Sequence, residues 1–279
     1  MNRNIASHNP AIRQDMANLI TRVPEPTMSG PSPFLLIAHH GPQTLPPNND
    51  GLPFTRHPHR GFETVTFIRH GALMHEDSRT GSRVVHAGGV QWMTAGSGVT
   101  HNESAPLELR RDGGYLEVLQ LWVNLPSRLK GVAPNYVGLE ASNIPNVSMD
   151  AGRVSVHVVA GRFGDTEGAM QSLTDTTMLT IEFNAGGMVT LPATVGRSIF
   201  LYVVEGAISI GGQTIEQHTR IEFDQGGDEI TLGATDNAYV IYGHAPLIDE
   251  PVAARGPFVM TTYEEVVEAV RDFQDGLYN

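Results

Sequence analysis

Residues 57–73 and 192–208 lie over each other without a gap, and that overlay constrains the fold more than any other feature of the chain. It pairs Gly61 with Gly196, Phe67 with Tyr202, Gly71 with Gly206 and Ala72 with Ala207. A duplicated β unit is the economical explanation. The 30 glycines and 18 prolines, spread along all 279 residues, add many turns between short strands, which is the pattern of an all-β protein. A hydrophobic content of 40% suffices for one large core or two smaller ones. Strand-like runs cover 34–38, 64–70, 84–94 with a break at Gly88-Gly89, and 115–125. In the last of these Leu116, Val118, Gln120 and Trp122 take one face, and Glu117, Leu119 and Leu121 the other. A second set follows at 154–160, 178–183, 199–204, 221–223 and 239–242.

Residues 1–32 are polar with scattered prolines and read as a mobile or weakly docked arm, followed by a first domain over 33–140 and a second over 150–279. The stretch 126–150, polar and proline-containing, reads as a linker or long connection. The second domain is expected to end in a helix. Thr261-Thr262-Tyr263-Glu264 is a capping box, Tyr263, Val266, Val270 and Phe273 make an apolar stripe at helical spacing, and Gly276 stands where a C-cap glycine belongs.

The first repeat carries chemistry that the second lacks. His57 and His59 are two residues apart, as are His101 and Glu103, so each pair shares one face of a strand. Four nitrogen and oxygen donors can therefore converge from two strands. Such a set suits a first-row metal such as iron, with two adjacent positions left open on an octahedral ion. In the second repeat Pro192 and Thr194 replace His57 and His59, and no histidine lies between His218 and His244. His70, His86, His157, His218 and His244 read as structural, His75 as a hairpin-end residue with a place at the pocket mouth as the lesser alternative, and His39 and His40 as structural or supporting residues ahead of a Gly-Pro turn. Trp92 and Met93 read as core or pocket wall. Glu63, on the same strand face as His59, competes with Glu103 as the carboxylate ligand.

Composition narrows the partners. A formal net charge of −12 disfavours nucleic acid, because phosphate-backbone affinity rests on Lys and Arg. With zero cysteines there is no disulfide, thiolate zinc site or iron–sulfur cluster, so any metal depends on histidine and carboxylate. No apolar run reaches eighteen residues and no signal-peptide core opens the chain, so a soluble, cytoplasmic protein without a membrane partner is the expectation.

Three blocks carry a family resemblance: His57-Pro-His-Arg-Gly-Phe-Glu-Thr-Val65, Gln91-Trp-Met-Thr-Ala-Gly-Ser-Gly-Val-Thr-His-Asn-Glu103, and Gly256-Pro-Phe-Val-Met-Thr-Thr-Tyr-Glu-Glu265. The chain resembles the pirin family of the cupin superfamily. The resemblance implies two antiparallel cupin β-barrels, a bicupin, with one Fe(II) per chain in the first, other divalent first-row metals being possible there. The implied ligands are His57, His59, His101 and Glu103, with Glu103 preferred over Glu63. Phe34-Leu-Leu-Ile-Ala-His-His-Gly-Pro42 departs from the family, which commonly has Asp where Ala38 stands. The implied activity is quercetinase: a flavonol or related enolic substrate is cleaved by dioxygen, and Glu103 is the catalytic base for the substrate hydroxyl. The alternative is a non-catalytic, redox-sensitive iron protein that binds a protein partner.

One metal ion per chain, about, is expected in the first repeat only. Metal analysis of purified protein checks this: two tightly held equivalents, or full retention by a His57→Ala/His101→Ala double variant, would refute it.

Overall fold

The computed structural model describes residues 1–25, 27–28 and 32–278. Contacts divide the chain into two compact units, and neither is continuous in sequence. One comprises Arg13–Val23, Thr27–Ser142 and Ile248–Asn279; the other comprises Met1–Ile12, Pro24–Pro26 and Asn143–Leu247.

The first unit has two antiparallel sheets. The larger contains Phe62–His70, Gly114–Asn124 and Phe34–Leu45 as neighbours, with Val90–Thr94 and Asn135–Leu139 beyond Phe62–His70 and Thr21–Pro24 at the far side. The smaller runs His57–His59, Val99–Ser104, Ala72–Asp77, Gly81–His86. Leu73 and Val85 of the smaller sheet pack with Ile68, Leu116 and Val118 of the larger, so the core lies between the sheets. The second unit repeats the plan. Arg197–Glu205, Ala238–Pro246, Thr177–Phe183 and Val154–Ala160 are consecutive in its larger sheet, and Met188–Pro192, Glu229–Gly233, Ala207–Ile210 and Gln213–Glu216 form the smaller. Val203, Ile221 and Val240 of one sheet meet Leu191, Ile208 and Leu232 of the other.

The duplication is exact in register. The strands that begin at Phe62 and Ala72 have counterparts beginning at Arg197 and Ala207. Gly61 and Gly196 have φ of +88° and +81°, and Gly71 and Gly206 have +82° and +73°. Each pair holds the same left-handed turn, which a Cβ disfavours, so glycine recurs there.

Three expectations need correction. Residues 1–32 are not an arm where they are described; positions 26 and 29–31 lie outside the described residues. Ile5–Arg13 is a strand that pairs with Thr219–Phe223, from Ile5 opposite Phe223 to Pro10 opposite Thr219. Arg3 is buried, and its guanidinium donates to the carbonyls of Ala193 at 2.9 Å, Thr194 at 2.6 Å and Asp224 at 3.1 Å. The ladder uses backbone groups, so a polar composition conceals it. The stretch 126–150 holds two strands: Asn135–Leu139, paired to Val90–Thr94, and Asn146–Met149, paired to Val154–Ala160. The terminal helix is present at Tyr263–Gln274, but it belongs to the first unit rather than the second. Its capping box is Thr262 with Glu265, one residue later than expected. Val266 and Ala269 are its buried residues, while Tyr263 and Phe273 are exposed, so the buried face is rotated from the expected stripe. Gly276 does end the helix, with the Gly276 and Leu277 amides bonded to the Phe273 and Asp272 carbonyls.

Arg3→Ala is expected to lower unfolding free energy by about 2 kcal/mol, because several buried carbonyls lose their donor together. Chemical denaturation checks this; a free arm would show no loss.

Candidate metal centre

His57–His59 pairs antiparallel with Val99–Ser104, and the register sets His57 opposite His101 and His59 opposite Val99. Pro58, between the two histidines, points to the other face, so both imidazoles reach toward His101. The His57 Nε2 atom lies 3.2 Å from His59 Nε2 and 3.0 Å from His101 Nε2. His57 Nδ1 lies 2.7 Å from the Thr55 carbonyl and His59 Nδ1 lies 3.2 Å from the Pro257 carbonyl. A carbonyl can only accept, so in both rings Nδ1 carries the proton and the Nε2 lone pair faces the shared centre. Burial lowers the pKa of His59 to about 3, with His57 adding to the effect, and holds His101 well below the ordinary histidine value. Both rings are neutral at physiological pH. Two Nε2 lone pairs aimed at one point are met better by a cation than by each other, and His101 Nε2 beside them completes a donor set that fits a metal ion.

The three histidines bring their donor atoms within 4.8 Å of one another. Glu103 stands outside that set but lines the same cavity as His57 and His59. Its Oε1 accepts from Thr66 Oγ1 at 3.2 Å and its Oε2 from Gln120 Nε2 at 2.7 Å. Trp122 Nε1 donates to Gln120 Oε1 at 3.0 Å and so fixes which way that amide points. Glu63 is buried elsewhere: it accepts from Thr94 Oγ1 at 2.6 Å, burial pushes its pKa up, and it does not line the cavity. The cavity, of about 350 Å³, is walled by Met16, Val23, Leu36, Phe54, Leu73 and Trp122 among others.

His75 is not a hairpin-end residue. It is mid-strand and buried, its Nε2 lies 2.8 Å from Asp77 Oδ2, its ring stacks on Tyr136 at 4.0 Å, and it sits 5.3 Å from the His101 ring. His39 Nε2 lies 2.8 Å from Glu117 Oε1, while His40 lines the cavity. Trp92 and Met93 are both in the core, and the tryptophan of the cavity wall is Trp122. The missed partners of Glu103 had a signal in the alternating run, since Gln120 is the polar residue on the face shared by Val118 and Trp122. Lys130 had none.

Lys130 is nearly inaccessible, and its Nζ donates to Gly61 O at 2.8 Å, Asn124 Oδ1 at 2.7 Å and Val259 O at 2.9 Å. It thereby ties the turn that follows His59 to the C-terminal segment whose Pro257 carbonyl orients that histidine. The approach is close enough that a Cβ on Gly61 would run into the Val259 carbonyl. Arg60 extends the brace to Asp272 at 2.6 Å, and Tyr278 lies over Gly98, just ahead of the strand that carries His101.

A two-sheet barrel present twice, with converging histidines in one copy alone among the described residues, defines a bicupin. The pirin family model matches residues 15–123 and the pirin C-terminal cupin domain matches 178–279, so the chain belongs to the pirin family. It is 34% identical over 247 residues, 88% of this chain and 86% of the relative, to a Pseudomonas aeruginosa protein provisionally named quercetin 2,3-dioxygenase. It is 36% identical over 230 residues to human pirin, covering 80% of this chain and 76% of that one. A crystal structure of quercetin 2,3-dioxygenase from Acinetobacter baumannii superposes with a TM-score of 0.94 at 31% identity, over 100% of this chain and 99% of that one. No helix among the described residues is long and apolar enough to cross a membrane.

Burial lowers the pKa of Lys130 from 10.5 to about 8. Between those pH values the unfolded chain holds the proton and the folded chain does not, so stability from this group rises with pH across the window, by at most about 3 kcal/mol. Denaturant unfolding at pH 7.5 and pH 10 is expected to show that rise in the native chain and not in Lys130→Met. Equal pH dependence in the two would refute the assignment.

Proposed function

We propose that the protein is an iron-dependent dioxygenase that opens the heterocycle of flavonols such as quercetin with loss of carbon monoxide, and that Glu103 joins His57, His59 and His101 as fourth ligand. The observation that carries this reading is the cavity: an apolar, aromatic-walled space whose lining includes His57, His59 and Glu103. A metal serving only as a structural switch needs no ligand-sized cavity beside it, which favours catalysis over the regulatory alternative. The dioxygenase names carried by the Pseudomonas and Acinetobacter relatives supply the substrate class.

The triad would hold the ion, and an iron there would supply Lewis acidity and one-electron chemistry to a chelating enol and dioxygen. The chain's own residues do the rest. Trp122 and the aliphatic wall bind the flat rings and exclude water. Glu103 accepts the proton of the flavonol 3-hydroxyl. Thr66 and Gln120 each donate to one of its oxygens, so the carboxylate has two partners to hold it whenever it is away from the ion. A carboxylate that alternates between ligation and these donors can take a proton without leaving the site. Glu63, whose Oε1 accepts from Thr94, does not line the cavity, which supports Glu103 as the carboxylate in question.

Iron-loaded protein under air is expected to bleach quercetin and release carbon monoxide. Glu103→Gln is expected to lose turnover by more than about a hundredfold while keeping flavonol binding, because an amide cannot accept the proton. Absorbance, gas analysis and metal content measured on the same samples check it. No turnover beyond that of free iron would sink the enzymatic reading. Loss of metal in Glu63→Gln with full retention and an unchanged spectrum in Glu103→Gln would sink the ligand assignment.

A further inference from the structure

We infer that His40 is a specificity-determining residue of the cavity: the Nε2 edge of its imidazole is the hydrogen-bond partner of a hydroxyl carried by an aromatic ligand at the end remote from the metal centre. The inference rests on the flavonol reading and deepens it by fixing which aromatic ligands the cavity prefers.

The argument begins with strand register. Phe34–Leu45 turns Leu36, Ala38 and His40 into the cavity, opposite Trp122, Gln120 and Val118 respectively. Trp122 packs on His59 with ring centroids 5.4 Å apart, and Gln120 holds Glu103, so the first two of these cross-strand rows belong to the metal end. His40 occupies the third row, about 7 Å beyond Ala38 along the strand. The residue between is small. A methyl group at Ala38, where the family commonly has a carboxylate side chain, leaves the floor of the cavity open from Trp122 to His40.

The His40 ring is held in one pose. Its Nδ1 lies 2.9 Å from Thr21 Oγ1 and its ring meets Phe54 edge-on at 5.1 Å. Its Nε2 has no hydrogen-bond partner among the described residues: Met16, Val23, Phe54 and Leu73 around the cavity offer none, and Gln14, which also lines the cavity, is not bonded to it. Burial, with His39 beside it, lowers its pKa to about 4, so the ring is neutral at physiological pH. An imidazole nitrogen facing an apolar space is costly until a polar group meets it, so a ligand that fills the space without one is penalised.

Thr21 decides what kind of group is needed. Its one hydroxyl proton goes either to His40 Nδ1 or to the Leu19 carbonyl at 3.4 Å. In the first case His40 Nε2 carries a proton and donates; in the second it is bare and accepts. A hydroxyl on the ligand answers both cases. A methyl ether answers only the first, and a plain ring edge answers neither. The cavity therefore selects chelating aromatics with a further hydroxyl at the distal end.

Two probes separate the ideas: quercetin, and 3-hydroxyflavone, which has the same chelating oxygens and no other hydroxyl. Binding to the metal-loaded protein is measured by calorimetry without oxygen, so no turnover intervenes. His40→Phe preserves an aromatic ring against Phe54 and is expected to weaken quercetin about tenfold while changing 3-hydroxyflavone by less than about twofold. Thr21→Val, which frees the ring without removing it, is expected to give a smaller loss confined to quercetin, and it carries the same comparison if His40→Phe does not fold. Equal losses for the two probes, or no loss for quercetin, overturn the inference and leave the flavonol reading standing. A native protein that binds neither probe overturns both.

Discussion

Two imidazole nitrogens within 3.2 Å of a third are an arrangement that the side chains would not choose for themselves. Lone pairs repel, and each ring would gain more by turning toward a donor. The protein imposes the geometry through backbone: two carbonyls fix the outer rings, and an antiparallel register sets the third opposite the first. Much of the first unit serves that constraint. The small sheet supplies the register, the glycine turn after His59 lets the C-terminal segment approach, and the buried lysine holds turn and segment together.

The same division of labour runs through the cavity. Several polar groups are oriented by another polar atom: Trp122 turns Gln120, Gln120 and Thr66 steady Glu103, and Thr21 steadies His40. Fixed dipoles of this kind cost no reorganisation when charge moves at the site. The donors come from neighbouring strands of the larger sheet, so the pleat that makes the core also aims them, while Glu103 comes from the smaller sheet.

The sequence made the inner half of this legible. Strand periodicity exposed the inward face at Val118, Gln120 and Trp122, the repeat marked which glycines were turns, and spacing of two drew His57 to His59 and His101 to Glu103. What it concealed follows from one physical cause. Docking of the chain ends depends on backbone carbonyls and on long-range contacts, and neither leaves a periodic signature. Arg3, Lys130 and Pro257 act through main-chain oxygens, so nothing near them in sequence identifies their partners. The helix was visible from its capping and its terminal glycine, but which unit it joins depended on Arg60 and Asp272, 212 positions apart. His75 was misjudged because a histidine among acidic residues looks solvent-facing, whereas its bond to Asp77 lets it be buried.

Each unit is completed by a segment from the opposite end of the chain: Arg3 bonds the turn after Pro192 in one, and Lys130 joins the turn after His59 to Val259 in the other. On the ribosome this order has a consequence. The first set of strands can pair while the remainder is still being made, yet the carbonyl that orients His59 emerges only after the whole second unit has been synthesised. Until then His59 is present but lacks the carbonyl that sets the direction of its ring. The three-histidine geometry is thereby completed only in a nearly finished polypeptide.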